Sequence, residues 1–336
     1  MRSKLIIHHS SLKRMNFLDK FFGNNEPEQP QPDLKFGRYT DSYKTKVQYD
    51  AWDKALEEFE EERYLDCYRA FFRYLRDERE DNVHFSEEDG RIEFEIFQGS
   101  KRVKGFANSK QFKAEAKVAK AGELNIGFMR RLIEGNFDLK YSRFALDESN
   151  DITIIFDTYT LDGSPYKLYY ALKELATSAD KQDDLLLDEF EMLEAIEIEH
   201  LKDLPAAEKE VKYDFTMSEI GTVFEEIDNG KLNPDKYPGA IGYMLLDLSY
   251  KLDYLTKPEG FMMEALERIH RLYFANDGNG MSKKNALLRK EFQKLLERPK
   301  AEFFKEMYEV PATFGITSPA NHDKVASLIE GEIGNM

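Results

Sequence analysis

The residues of this chain best suited to chemistry are two Glu-x-x-His pairs, Glu197 with His200 and Glu267 with His270. On a helix the i, i+3 spacing turns a carboxylate and an imidazole to one face. Di-iron bundles use two such pairs, with one glutamate from each of two further helices. Glu174 and Glu226 are the candidates for those places. Composition weighs against this reading, because 64 acids and six histidines make two such coincidences unremarkable. A metal centre at Glu197, His200, Glu267 and His270, or another enzyme site in the C-terminal helical domain, therefore stands as the alternative, and the main reading requires no cofactor.

Other motifs are weaker. Asn276-Asp277-Gly278-Asn279-Gly280 resembles half a calcium loop, but no acid follows until Glu291, so the position of a bidentate glutamate is empty. A loop between helices is expected there. One cysteine, Cys67, excludes a disulfide scaffold and a Cys-based zinc cage, and its apolar surroundings predict a small buried hydrophobe. No Ser-centred elbow, P-loop or dinucleotide fingerprint occurs. A formal charge of −16 argues against a nucleic-acid binder, which needs clustered Lys and Arg facing phosphate. No apolar run approaches the roughly 18 residues of a membrane span. The basic stretch Met1–Arg14 holds only the apolar run Leu5-Ile6-Ile7, short of the roughly 7–15 residues of a signal-peptide core, so a cytoplasmic location is expected. Met15 is as good a start as Met1.

The elements that would position these residues follow from patterning. Asn24–Asp33, with three prolines, reads as an extended linker closing a flexible segment over 1–47. Residues 48–78 read as one long helix with two apolar faces, the second carrying Tyr64, Tyr68 and Phe72. Such a helix is covered twice, the second time by the other domain or by another subunit. Alternation predicts strands around Val83–Phe85, Ile92–Ile96 and Phe112–Val118, with 101–109 left as a hairpin arm or a loop. A short helix over 124–134, strands at 137–141 and 152–156, and a helix over 165–187 follow. Ser164-Pro165 is a clear start for that last helix.

The order α-βββ-α-ββ-α resembles the type III secretion chaperone-like fold, which includes the YbjN-type bacterial proteins. The stretch from Tyr141 to Phe190 carries the likeness best, with an acidic turn, an apolar strand, a capped helix and a Leu-rich tail. The resemblance covers about 48–190 and implies a small acidic protein, usually dimeric, that binds extended segments of other proteins and has no catalytic residues.

The expected fold class is thus α+β: a chaperone-like domain with an antiparallel sheet over 48–188, then an all-α helical domain over 189–336. In the latter, 189–203 is read as continuing helix and Thr216-Met217-Ser218-Glu219 as a capping box. Further helices are expected at about 237–256, 259–275, 282–297, 300–309 and 319–331. The acids from Asp183 to Glu199 read either as a solvated helix face or as a docking surface for a basic partner. The function read from the sequence is non-catalytic, chaperone-like or regulatory binding of a protein partner through the sheet and the acidic helical surface, with homodimerisation through the helix at 48–78. The contact residues expected are Tyr64, Tyr68, Phe72, Asp184, Asp188 and Glu191.

Overall fold

A computed structural model describes residues 37–39, 41, 44–122, 125–197, 199–315, 327 and 330. Residues 1–36, and most of the helix expected at 319–331, lie outside the described residues. Two helices open the fold, α1 (Lys46–Glu60) and α2 (Tyr64–Leu75). The single helix expected over 48–78 is therefore two. The chain turns at Glu61–Arg63, with Glu62 at φ 59°, a left-handed conformation that no helix interior adopts. Arg63 pairs with Glu58 across that turn.

The sheet contains β1 (Val83–Glu88), β2 (Arg91–Gln98), β3 (Lys101–Asn108), β4 (Gln111–Ala121), β5 (Arg143–Leu146) and β6 (Ile152–Tyr159). The strand order is β1-β2-β3-β4-β6-β5, antiparallel throughout, and residues 101–108 are a full strand. Period-two alternation sets the register. Ile96, Val103, Ala116, Ile154 and Phe144 form one cross-strand row on the buried face. The next row, Glu95, Lys104 and Glu115, alternates in sign on the wet face. Between β4 and β5 lies α3 (Ile126–Asp138), and after β6 comes α4 (Pro165–Glu189), whose N-terminus is capped by the Ser164 hydroxyl. Phe137 belongs to α3, so the strand expected at 137–141 starts later, at Arg143. Helices α2 and α4 cover the apolar face around Phe71, Phe72, Leu168, Leu172 and Leu175.

Past α4 the helix expected over 189–203 does not form. The chain makes two-residue strands instead: β7 (Leu193–Glu194), which pairs with the end of β4, and β8 (Lys202–Asp203). Then follow α5 (Ala206–Asn229), α6 (Pro238–Thr256), α7 (Gly260–Phe274), α8 (Met281–Glu297), α9 (Lys300–Lys305) and β9 (Tyr308–Glu309), which pairs with β8. Thr216 sits inside α5, its hydroxyl donating back to the Lys212 carbonyl, so it caps nothing. This helical region has its own core of Ile220, Leu245, Leu248, Leu252, Ile269, Leu288, Phe292 and Phe303. The fold is thus α+β, an N-terminal sheet region followed by C-terminal helices. No helix of the described residues is long and apolar enough to cross a membrane.

Candidate functional site

The two Glu-x-x-His pairs do not converge. Residues 197, 199 and 200 are not helical, and Glu197 has a φ of 56°, so the i, i+3 geometry the metal reading requires is missing there. Glu197 instead binds Lys104 at 2.6 Å on the wet face of the sheet. His200 lies against Phe97, with Nε2 3.3 Å from the Gly99 carbonyl, and burial pushes its pKa down. On α7, Glu267 pairs with Lys181 and Arg271, while His270 Nδ1 meets the Tyr250 hydroxyl at 2.6 Å. Glu174 is engaged elsewhere, accepting the backbone N–H groups of Lys140, Tyr141 and Ser142. Among the described residues no group of three or more His, Cys, Asp or Glu is placed to hold a metal ion. The NDGNG stretch forms the loop between α7 and α8, where Asp277 accepts the Asn279 N–H.

The aromatic contact residues expected on α2 are also corrected. Tyr68 and Phe72 have no exposed surface. Tyr68 donates to the Thr160 hydroxyl at 3.2 Å, and Phe72 packs on Phe85, Phe94 and Phe112. Tyr64 is half-buried against Phe59. The second apolar face of this segment is covered by the sheet itself, because the break at Glu61–Arg63 reorients α2 onto it. Cys67 is fully buried, and burial followed by the Glu58 charge pushes its thiol up to about 12.

The acidic segment divides in two. Asp188 and Glu191 are exposed, Asp188 lying 3.5 Å from Arg298. Asp184 is half-buried, and Asp180 and Asp183 are buried on α4 against the β2–β3 turn. Asp180 accepts the Ser100 N–H at 2.7 Å, and Asp183 accepts the Ser100 hydroxyl and pairs with Lys101 at 2.8 Å. Glu259, before α7, faces the same junction and pairs with Arg38, which also holds Asp253. Burial raises the pKa of Asp180, Asp183, Asp184 and Glu259, and the neighbouring carboxylates raise it further for Asp180 and Asp184. Of the acids from Asp183 to Glu199, Asp183 is buried and Asp184 half-buried at the joint between sheet and helices, while Asp188, Glu189, Glu191, Glu194 and Glu199 are exposed, as a solvated face requires.

Helix α3 carries an exposed aliphatic and aromatic row. Phe128 and Leu132 anchor one side of it in the sheet core. The opposite side carries Ile126, Ile133 and Phe137, which are 88%, 68% and 94% exposed. Positions 126, 133 and 137 fall on one helical face, and Ile126, Met129, Arg130 and Ile133 border a shallow apolar depression closed by Asn125 and Glu134. The adjoining edge of the sheet is β5, and the outward N–H and carbonyl of Phe144 at its middle are already engaged by the Asn136 side chain. Asn136 of α3 accepts the Phe144 N–H at 2.6 Å, and Glu174 accepts the Ser142 N–H at 2.9 Å. Side-chain packing, rather than strand addition, is what this face offers. The sequence signal for it is a second apolar set at i, i+3, i+7 and i+11 along α3, offset from Phe128 and Leu132.

No protein-family model matches the chain, and no curated protein matches it.

Proposed function

We propose that this chain is a non-catalytic protein-binding module, chaperone-like or regulatory, and that α3 docks the apolar face of a helix from a partner protein. The observation that carries this reading is the exposed row of Ile126, Ile133 and Phe137. Large apolar side chains scattered singly on a surface need no explanation, whereas three in one row on one helix do. Burying each contributes about 1.5–3 kcal/mol, so docking the row supplies roughly 5–9 kcal/mol before the costs of association. The capped β5 edge favours a helix over an added strand. A partner with basic flanks suits a chain of net charge −16 and the exposed acids Asp188 and Glu191.

Fractionation of native extract by size tests this. The wild-type chain is expected in a complex well above its own 39.3 kDa, and the double variant Ile133→Asp, Phe137→Asp at monomer mass. Co-migration of wild type and variant, whether as monomer or as complex, contradicts the reading. A purified chain that already runs at twice its mass identifies the partner as a second copy.

A further inference from the structure

A different surface is already filled, by the chain itself. After β9 the segment Pro311–Gly315 leaves the helical core and crosses to the sheet. Its backbone bends there at Thr313 and Phe314, which turns two successive N–H groups toward one acceptor. The Pro311 carbonyl accepts the Gly99 N–H at 3.1 Å. Thr313 and Phe314 both donate their N–H groups to the buried Gln98 Oε1, at 3.1 and 2.9 Å. The Thr313 hydroxyl donates to the Phe97 carbonyl at 2.8 Å, and the Asn82 carbonyl lies 3.3 Å away. Phe314 is 1% exposed and meets the Tyr169 ring edge-on at 5.7 Å.

The walls of this cleft come from the entry to β1, the β2–β3 turn and α4. Each is held by other bonds: β2 is paired on both sides, and Asn82 donates to the Leu75 carbonyl. Backbone amides read by one fixed acceptor, with one hydroxyl position and one aromatic pocket, are the ingredients of peptide receptors. We propose that the cleft formed by Asn82, Phe97, Gln98 and Tyr169 is a receptor for a Thr-Phe bend of another protein, and that residues 311–315 occupy it in cis as a displaceable ligand. This inference does not rest on α3. A tether holds the internal segment at millimolar effective concentration, so a free peptide competes poorly until the internal copy is weakened.

The test uses the full chain and a labelled peptide of residues 308–315, Tyr-Glu-Val-Pro-Ala-Thr-Phe-Gly. Phe314→Ala, which empties the pocket in cis, is expected to bind the peptide at least about tenfold more tightly than wild type. Adding Gln98→Leu is expected to abolish the gain, as is the same Phe→Ala change in the peptide. A folded Phe314→Ala chain that binds no more tightly than wild type overturns the proposal. Hydrogen exchange on the unaltered chain decides independently of that variant's folding. The Thr313 and Phe314 amides are expected to exchange at least about 100-fold faster than the paired amides of β2 and β3, because the segment opens while the sheet stays closed. Exchange at one common rate shows a fixed part of the core, and overturns the proposal.

Discussion

Glu306 sits where α9 hands over to β9, and its titration is a direct probe of how sheet and helices are joined. Its carboxylate accepts the Met262 N–H at 3.2 Å and pairs with Arg298, and its own carbonyl accepts the Glu259 N–H. Arg298 is shared with Asp188 and lies over the Phe261 ring at 4.4 Å. It meets Glu306 through one nitrogen rather than a fork. Burial therefore dominates, and with the help of the Asp188 charge it pushes the Glu306 carboxyl up from 4.5 to about 7 against Arg298 and the Met262 N–H. A carboxyl raised on folding stabilises the fold while protonated. That contribution is complete below the unfolded value and is lost as pH climbs through the folded one. The interval from 4.5 to about 7 spans 2.5 pH units, and at about 1.4 kcal/mol per unit it corresponds to roughly 3 kcal/mol. Denaturant unfolding of wild type and Glu306→Gln at pH 5, 6, 7 and 8 isolates this group, because the remaining titrations cancel in the difference. Wild type is expected to lose about 2–3 kcal/mol relative to the variant between pH 5 and pH 8. A difference that stays flat, or that moves in favour of wild type as pH rises, refutes the reasoning by showing that Arg298 outweighs burial.

Three further outcomes follow from single positions. Gly99 has a φ of 54°, and a Cβ there would lie 1.8 Å from an Asp180 oxygen; Gly99→Ala should cost about 2–4 kcal/mol, read as a lowered thermal midpoint. Burial acts to raise the Glu174 carboxyl, but the N–H groups of residues 140–142 and the Ser142 hydroxyl together hold it below the usual range. Its contribution is therefore present at neutral pH and lost on acidification, and Glu174→Gln should cost roughly 1–2 kcal/mol at pH 7 and less near pH 3 in denaturant titrations. The Cys67 thiol should resist a chromogenic disulfide reagent in the native chain and react at once in denaturant, whereas rapid native labelling would show that α2 opens readily.

The sequence carried its fold wherever the signal was local. The strands alternate as their register requires, and Ser164-Pro165 marks the start of α4 because the cap and the fixed proline φ act within one turn. The break after α1 was not legible: Glu61-Glu62-Arg63 contains good helix formers, and only packing of α2 on the sheet puts Glu62 in a left-handed conformation. Phe137, Leu139 and Tyr141 alternate because a helix end and a strand start are indistinguishable over five residues. Leu193 and Glu194 leave the helical pattern to pair with β4, a long-range choice that periodicity does not encode. The burial of Asp183 was hidden for the same reason, since Ser100 and Lys101 that cover it lie some 80 positions away, whereas Asp188, Glu189 and Glu191 keep the exposed face their pattern suggests. The α3 face was half legible. Its apolar residues are plain in the sequence, but which of its two faces the sheet would take was not.

The most direct test of the binding role places a photoreactive benzoylphenylalanine at Phe137 in the living source cell, with the same replacement at Val211 on α5, an exposed apolar position outside the α3 row, as the control. The binding account predicts one discrete adduct from position 137, absent from 211 and lost when Ile133→Asp is added. No adduct from a folded 137 variant, or the same adducts from both positions, would contradict it.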